Sequence, residues 1–198
     1  MHKVRSIDLK RKKDFRPTRK NFLIVCEGEK TEPKYFEGFR LSKDIYDLEG
    51  LGTNTVSLVE QAIKLKNRKD KSYDQVWCVF DRDSFPQQNY NNAFTLAERN
   101  NIKIAYSNEA FEIWYLLHFH YHDAATSRGS YKKMLTERLG FRYEKNDPKM
   151  YDHLISKQTT AIKNSMKLFD SYANHLPANE NPSTTVHELV QELNKYIV

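Results

Sequence analysis

Two runs of apolar residues, each closing on acidic side chains, constrain this chain more than any other feature. Phe22-Leu23-Ile24-Val25-Cys26 leads into Glu27-Gly28-Glu29-Lys30-Thr31-Glu32, and Val76-Trp77-Cys78-Val79-Phe80 leads into Asp81-Arg82-Asp83. Unbroken runs rich in β-branched and aromatic residues, bounded by turn residues, predict strands buried on both faces, the pattern of a parallel sheet. Open α/β sheets bind ligands outside the carboxyl ends of their strands. Glu27, Asp81 and Asp83 are therefore expected in one crevice. Clustered carboxylates suit a hard divalent cation, and Mg²⁺ typically takes one or two of them together with substrate phosphates.

The β/α alternation continues around these runs. The spacing predicts a strand at 21–27, a helix from Thr31 to about Leu41 with Thr31 as its cap, and a short edge strand near 45–48. A helix at 55–69 capped by Thr53 or Asn54, a strand at 75–80, a helix at 92–100 and a strand at 102–106 follow. Beyond residue 108 the alternation stops. Helices are expected at 109–120 (capped by Asn108), 130–139 (closed by Gly140), 151–172 and from Ser183 or Thr184 to about 196. The expected organisation is a basic arm at 1–20, an α/β core at 21–108 and a helical extension at 109–198.

Charge is concentrated in the arm. Residues 1–20 hold nine Lys and Arg against two Asp, net +7; the whole chain is +6, so residues 21–198 sum to −1. A basic arm ahead of a near-neutral domain points to phosphate contacts with nucleic acid, with Arg11, Lys12 and Lys13 at its centre; a solvated leader is the plainer alternative. The chain has no apolar run of about 18 residues, which predicts no membrane span. The N-terminus lacks the apolar stretch of a signal peptide. Cys26 and Cys78 fall inside predicted strands, as buried thiols in a cytoplasmic protein would.

Asp81 and Asp83 are two apart, so on an extended segment they share a face and can reach one ion, while Arg82 points elsewhere or toward a phosphate. Glu27 serves as a further ligand or as a general acid or base, and Gly28 allows a tight turn and close approach. Glu29 and Glu32 are open between ligand and, for Glu32, a first-turn acid favoured by the helix dipole. Lys30 binds phosphate or is simply solvated. In Ser107–Phe119, Glu112 is either an additional acid beside the metal or part of a core helix. His118 is either near substrate or a hydrogen-bonded structural histidine. His118, His120 and His122 alternate and so share no helical face, and no zinc spacing, phosphate loop or dinucleotide fingerprint is present.

At three segments the chain resembles the RloB family, which is related to abortive-infection proteins of the AbiLii type. These are Cys26–Glu32 with Tyr35-Phe36; Asp81–Phe85 with Ser107-Asn108 and Phe111–Trp114 through His118-Phe119; and Asn181–Val186. Glu109 stands where many relatives are expected to carry proline. The resemblance implies a Toprim-like, Rossmannoid core, a mostly parallel sheet flanked by helices with a C-terminal helical extension. In that module a glutamate follows the first strand and an Asp-x-Asp follows a later one, positions that map onto Glu27, Asp81 and Asp83. It further implies a bacterial anti-phage setting and a nuclease acting on RNA, including tRNA, or on DNA.

The expectation is therefore a Mg²⁺- or Mn²⁺-dependent phosphodiesterase. Glu27, Asp81 and Asp83 would hold metal, Glu112 would add an acid, and Lys30, Arg82 and His118 would contact substrate. Asn181–Thr185 completes the site or caps the last helix, and Pro182 with Ser183 and Thr184 suits the cap. A partner defence protein or regulator is an expected associate. The alternatives are a non-catalytic nucleic-acid-binding adaptor on the same scaffold, which needs no metal, and an enzyme of nucleotide phosphoryl transfer.

Overall fold

Every residue of Phe22–Cys26 (β1) is buried, as a strand covered on both faces must be. In the computed structural model, which describes residues 20–42, 46–52, 55–82 and 87–197, β1 pairs in parallel with Tyr46–Gly50 (β2) and Gln75–Arg82 (β3). Lys103–Asn108 (β4) pairs in parallel with β3, giving the order β2-β1-β3-β4. The architecture is an α/β Rossmann-like sheet with a helical C-terminal extension, as expected.

Alternation along the strands separates two cores. Phe22, Ile24, Cys26, Trp77 and Val79 face one layer, and Leu23, Val25, Val76, Cys78 and Phe80 face the other. The second layer is closed by Thr55–Lys66 (α2) and Gln87–Arg99 (α3), through Leu58, Val59, Tyr90 and Ala93. The first is closed by Thr31–Glu37 (α1), Glu112–Leu117 (α4), Arg128–Leu139 (α5), Met150–Leu154 (α6), Gln158–Asp170 (α7) and Val186–Asn194 (α8). Tyr35 lies edge-on to Phe36, Phe39, Phe111 and Trp114 at ring separations of 5.5–6.4 Å, each such pair adding about 0.5–1.5 kcal/mol beyond burial. Trp114→Ala at the centre of this layer would cost about 3–5 kcal/mol.

Chain order reverses between β1 and β3, which opens the crevice where such sheets bind ligands. Cys26 and Cys78 are free and buried, on opposite faces. Burial pushes both thiols up, that of Cys78 to about 12, so neither is reactive. Among the described residues no helix is long and apolar enough to cross a membrane.

Several boundaries differ from expectation. The strand β3 runs through Arg82 because Asp81 and Arg82 pair with Ser107 and Asn108, so Asp81 lies inside the strand rather than after it. Thr31 is the first residue of α1, not its cap; Lys30 holds the cap position and Thr31 Oγ1 donates to Lys145 O. Asn108 ends β4 and its amide donates to Pro177 O, while Phe111 caps α4. The helix expected from 109 starts at Glu112, because Glu109 takes φ +68°, a value proline's ring, fixed near −65°, excludes. The stretch 151–172 breaks at a 3₁₀ turn, Ile155–Lys157; no proline or glycine marks the break. Gly140 closes α5 in the left-handed conformation as expected.

Thr185, rather than Ser183 or Thr184, holds the cap position of α8, and its side chain makes no capping bond there. Its Oγ1 accepts from Tyr106 N instead, and Thr184 Oγ1 donates to Tyr106 O at 2.8 Å. The segment thus covers the outer edge of β4, with an antiparallel bridge between Ser107 and Thr184. The expected caps Thr53 and Asn54 and the basic arm with Arg11, Lys12 and Lys13 lie outside the described residues.

Candidate active site

Glu27 follows β1, and its backbone N–H extends the ladder to Val79 O at 2.8 Å. Its carboxylate turns toward β3: Oε2 accepts from Asp81 N at 3.1 Å and Oε1 from Thr55 Oγ1 at 3.4 Å. Asp81 is buried at the end of β3, with Oδ2 3.5 Å from Arg128 Nη2. Its other oxygen, Oδ1, is buried and makes no hydrogen bond among the described residues. Glu112, the first residue of α4, is buried with Oε1 accepting from Tyr143 OH at 3.0 Å.

Glu32 joins them from the first turn of α1. Its carboxylate folds back over Gly28: a Cβ there would stand 2.8 Å from Glu32 Cδ and closer still to Oε2. Glu32 thus occupies the space that a side chain at position 28 would fill. Gly50 on β2 has a parallel role, since a Cβ there would meet Gly28 O at 2.8 Å and Pro33 Cγ at 2.9 Å. Two missing side chains let the 27–33 turn pack down onto the sheet.

These carboxylates act on one another. Burial raises Asp81 well above the ordinary carboxylate range, the charges of Glu32, Glu112 and Glu27 raise it further, and Arg128 opposes. Burial also raises Glu32, with Glu112 adding to it and the local backbone N–H, Lys145 and Arg128 opposing. Such crowding is relieved by protonation or by a cation. An acidic donor set with a buried, unpartnered Asp81 oxygen fits a hard divalent ion.

In the conformation seen, protein donors hold the carboxylates instead: Asp81 N and Thr55 hold Glu27, Arg128 holds Asp81, and Tyr143 holds Glu112. Among the described residues no group of three or more His, Cys, Asp and Glu side chains stands ready to hold a metal. Asp83 lies outside those residues.

A polar cleft of about 550 Å³ opens beside Asp81, at the carboxyl ends of β3 and β4. Arg82, Asn108, Glu109, Arg128, Asn179 and Asn181 line it.

A model of the RloB-like protein family matches residues 22–193. The chain belongs to the RloB-like family. Neither the curated proteins nor the solved structures contain a match to it.

In this RloB-like protein the matched span contains Glu27, Glu32, Asp81, Asp83, Glu112, Arg128 and Tyr143, and it excludes the basic arm. Of the residues singled out in the sequence, the structure brings together Glu27, Asp81 and Glu112. Arg82 turns to the cleft, its Nε donating to Ala178 O at 3.2 Å. Lys30 is exposed at the start of α1.

His118 is not brought to the carboxylates. It is buried against Trp114, with Nδ1 2.9 Å from Trp114 O, and its charged neighbour is Lys157. Burial lowers it to about 4, so it is neutral at physiological pH.

Sequence patterns did not single out Arg128, Tyr143 or Gly50, and left Glu32 undistinguished. Arg128 opens a helix and Tyr143 sits in a loop, 47 and 31 residues from the acids they meet. No local periodicity links residues that far apart. The one local signal was Glu32 itself, a second acid beyond the Gly28 turn.

Proposed function

We propose that this RloB-like protein is a divalent-metal-dependent phosphodiesterase of Toprim type that cleaves nucleic acid, RNA such as tRNA or DNA, in cytoplasmic anti-phage defence. The observation that carries this reading is the placement of Glu27 against Asp81 at the switch point of the sheet, with Glu32 and Glu112 close enough to raise Asp81. Family membership supports the defence setting. A partner defence protein or regulator fits an activity that must be restrained in healthy cells.

Glu27, Asp81 and Asp83 would hold Mg²⁺ or Mn²⁺, with Glu32 and Glu112 as further acids. The ion would polarise a phosphoryl oxygen and lower the pKa of an attacking water. Asp81 would meet the ion through the face it now turns to Arg128, and its Oδ1 makes no hydrogen bond among the described residues. Asp81 and Glu32, raised by burial, hold protons more readily than ordinary carboxylates. Glu32, outside the proposed metal ligands, is thereby suited to donate a proton to a leaving oxygen. Arg82 and Arg128 offer guanidinium forks suited to phosphate oxygens.

The test is cleavage of tRNA, single-stranded RNA, and single- and double-stranded DNA by the purified protein in Mg²⁺ or Mn²⁺, beside an Asp81→Ala/Asp83→Ala variant, with metal binding followed by calorimetry. Cleavage abolished by EDTA and by the variant is expected, and it names the substrate class. Metal binding with turnover of free nucleotides and of no polymer would replace the nuclease with nucleotide phosphoryl transfer. Absence of metal binding would leave the adaptor.

A further inference from the structure

We infer that the cleft between the ends of β3 and β4, the start of α5 and the 177–181 loop is a nucleotide subsite. It would seat one phosphate of the strand between Arg82 and Arg128, and the attached sugar or base against the amides of Asn108, Asn179 and Asn181. This rests on the reading of the neighbouring carboxylates as a phosphodiesterase centre.

Three observations carry it. The first is composition. Two guanidinium groups and three carboxamides converge on about 550 Å³, within the size range of small-ligand pockets. Among the described residues the wall carries one acid, Glu109, whose Oε2 is engaged by Arg128 N at 3.2 Å and whose carbonyl is engaged by Arg128 Nε at 2.8 Å. The described lining favours an anion, and its amides offer donors and acceptors to sugar hydroxyls or a base edge.

The second is preorganisation. Arg82 Nε donates to Ala178 O, Asn108 Nδ2 to Pro177 O, Asn108 N to Ser183 O and Thr126 N to Asn181 Oδ1, at 2.8–3.2 Å. Strand ends and loop are thereby tied into one frame, so little ordering is left to binding.

The third is the position of Arg128. Its Nη2 stands 3.5 Å from Asp81 Oδ2, beyond the usual range of a charge-assisted hydrogen bond, and 45% of its side chain is exposed. One guanidinium thus faces both the acidic centre and the cleft. A guanidinium so placed could contact a phosphate seated in the cleft. Arg128 is thereby shared by the acidic centre and the cleft.

The experiment is fluorescence anisotropy of the full chain in EDTA with a fluorescein-labelled 12-nucleotide RNA, its DNA counterpart and the duplex of each. Arg128→Ala, Asn179→Asp and Asn181→Asp are compared with wild type and with Lys64→Ala, an exposed cation on α2 away from the cleft. The Asn→Asp changes keep the acceptor oxygens used by Gln87 Nε2 and Thr126 N, so they add charge without breaking the wall.

Each cleft variant is expected to bind about tenfold more weakly, with the Arg128→Ala salt slope shallower by about one. Lys64→Ala should stay within about twofold of wild type. Wild-type affinity in all three cleft variants would overturn the subsite, as would failure of wild type to bind every oligonucleotide. Because EDTA blocks hydrolysis, the two readings fail separately. Cleft-dependent binding without cleavage on adding metal would overturn the nuclease and leave the subsite. Cleavage with unchanged affinity in the cleft variants would do the reverse.

Discussion

The backbone N–H of Asp81 donates to Glu27 Oε2 at 3.1 Å, so the end of β3 orients the acid that follows β1. The side chain of Asp81 then stands among Glu27, Glu32 and Glu112, held well above its ordinary range by burial and by their charges. A raised carboxyl favours folding while it is protonated, below the ordinary carboxylate range, and that contribution is lost as pH rises through the raised value. Asp81→Asn mimics the protonated state. In EDTA the variant is expected to melt about 2–4 °C above wild type at pH 7.5, the shift that about 1 kcal/mol produces in a domain of this size, with the gap closing near pH 4. Saturating Mg²⁺ should reverse the order by stabilising wild type alone. Thermal melts at the two pH values decide it, and equal melting points throughout would remove the strain assigned to Asp81.

Gly28 is the next probe. An alanine Cβ would collide with the Glu32 carboxylate, the free end of a flexible side chain, rather than with backbone. Gly28→Ala should therefore leave the melting point within a few degrees while displacing Glu32. A displacement of about 1 Å in an active site can cost about 100-fold in rate. Cleavage rate and thermal melt measured on one preparation separate this outcome from general unfolding.

Tyr143 holds Glu112 through one hydrogen bond. Tyr143→Phe removes the donor and leaves the buried carboxylate oxygen to find another, at a cost of about 1–3 kcal/mol. Tyr143→Phe and Glu112→Gln should be non-additive in urea denaturation, with a coupling of about 0.5–3 kcal/mol. Strict additivity would mean that the bond contributes nothing.

The Asn181–Thr185 segment has two roles along its length. Asn181 lines the cleft, whereas Thr184 is buried and tied to β4 through Tyr106 O, with Ser107 Oγ 3.0 Å away. Thr184→Val should lower stability by about 1–3 kcal/mol, since Tyr106 O loses one of its two donors and Val186 N loses the Thr184 hydroxyl it donates to. Metal affinity measured by calorimetry should not change. A loss of metal binding without loss of stability would move Thr184 into the site.

Local chemistry determined the strands and the first half of the topology. Phe22–Cys26 and Val76–Phe80 have no polar residue to offer solvent, so they had to lie inside a parallel sheet, and their acidic ends had to meet at its carboxyl edge. Gly140 and the loss of alternation after residue 108 were legible for the same reason, since conformational preference and periodicity act over a few residues. Only the tertiary structure decided that Glu32 and Glu112 join Glu27 and Asp81, that Arg128 and Tyr143 are their partners, and that His118 is buried against Trp114 instead. Those meetings depend on which distant segments pack together. The burial that drives packing has magnitude but no direction, so the pairings it creates leave no pattern in the neighbouring sequence.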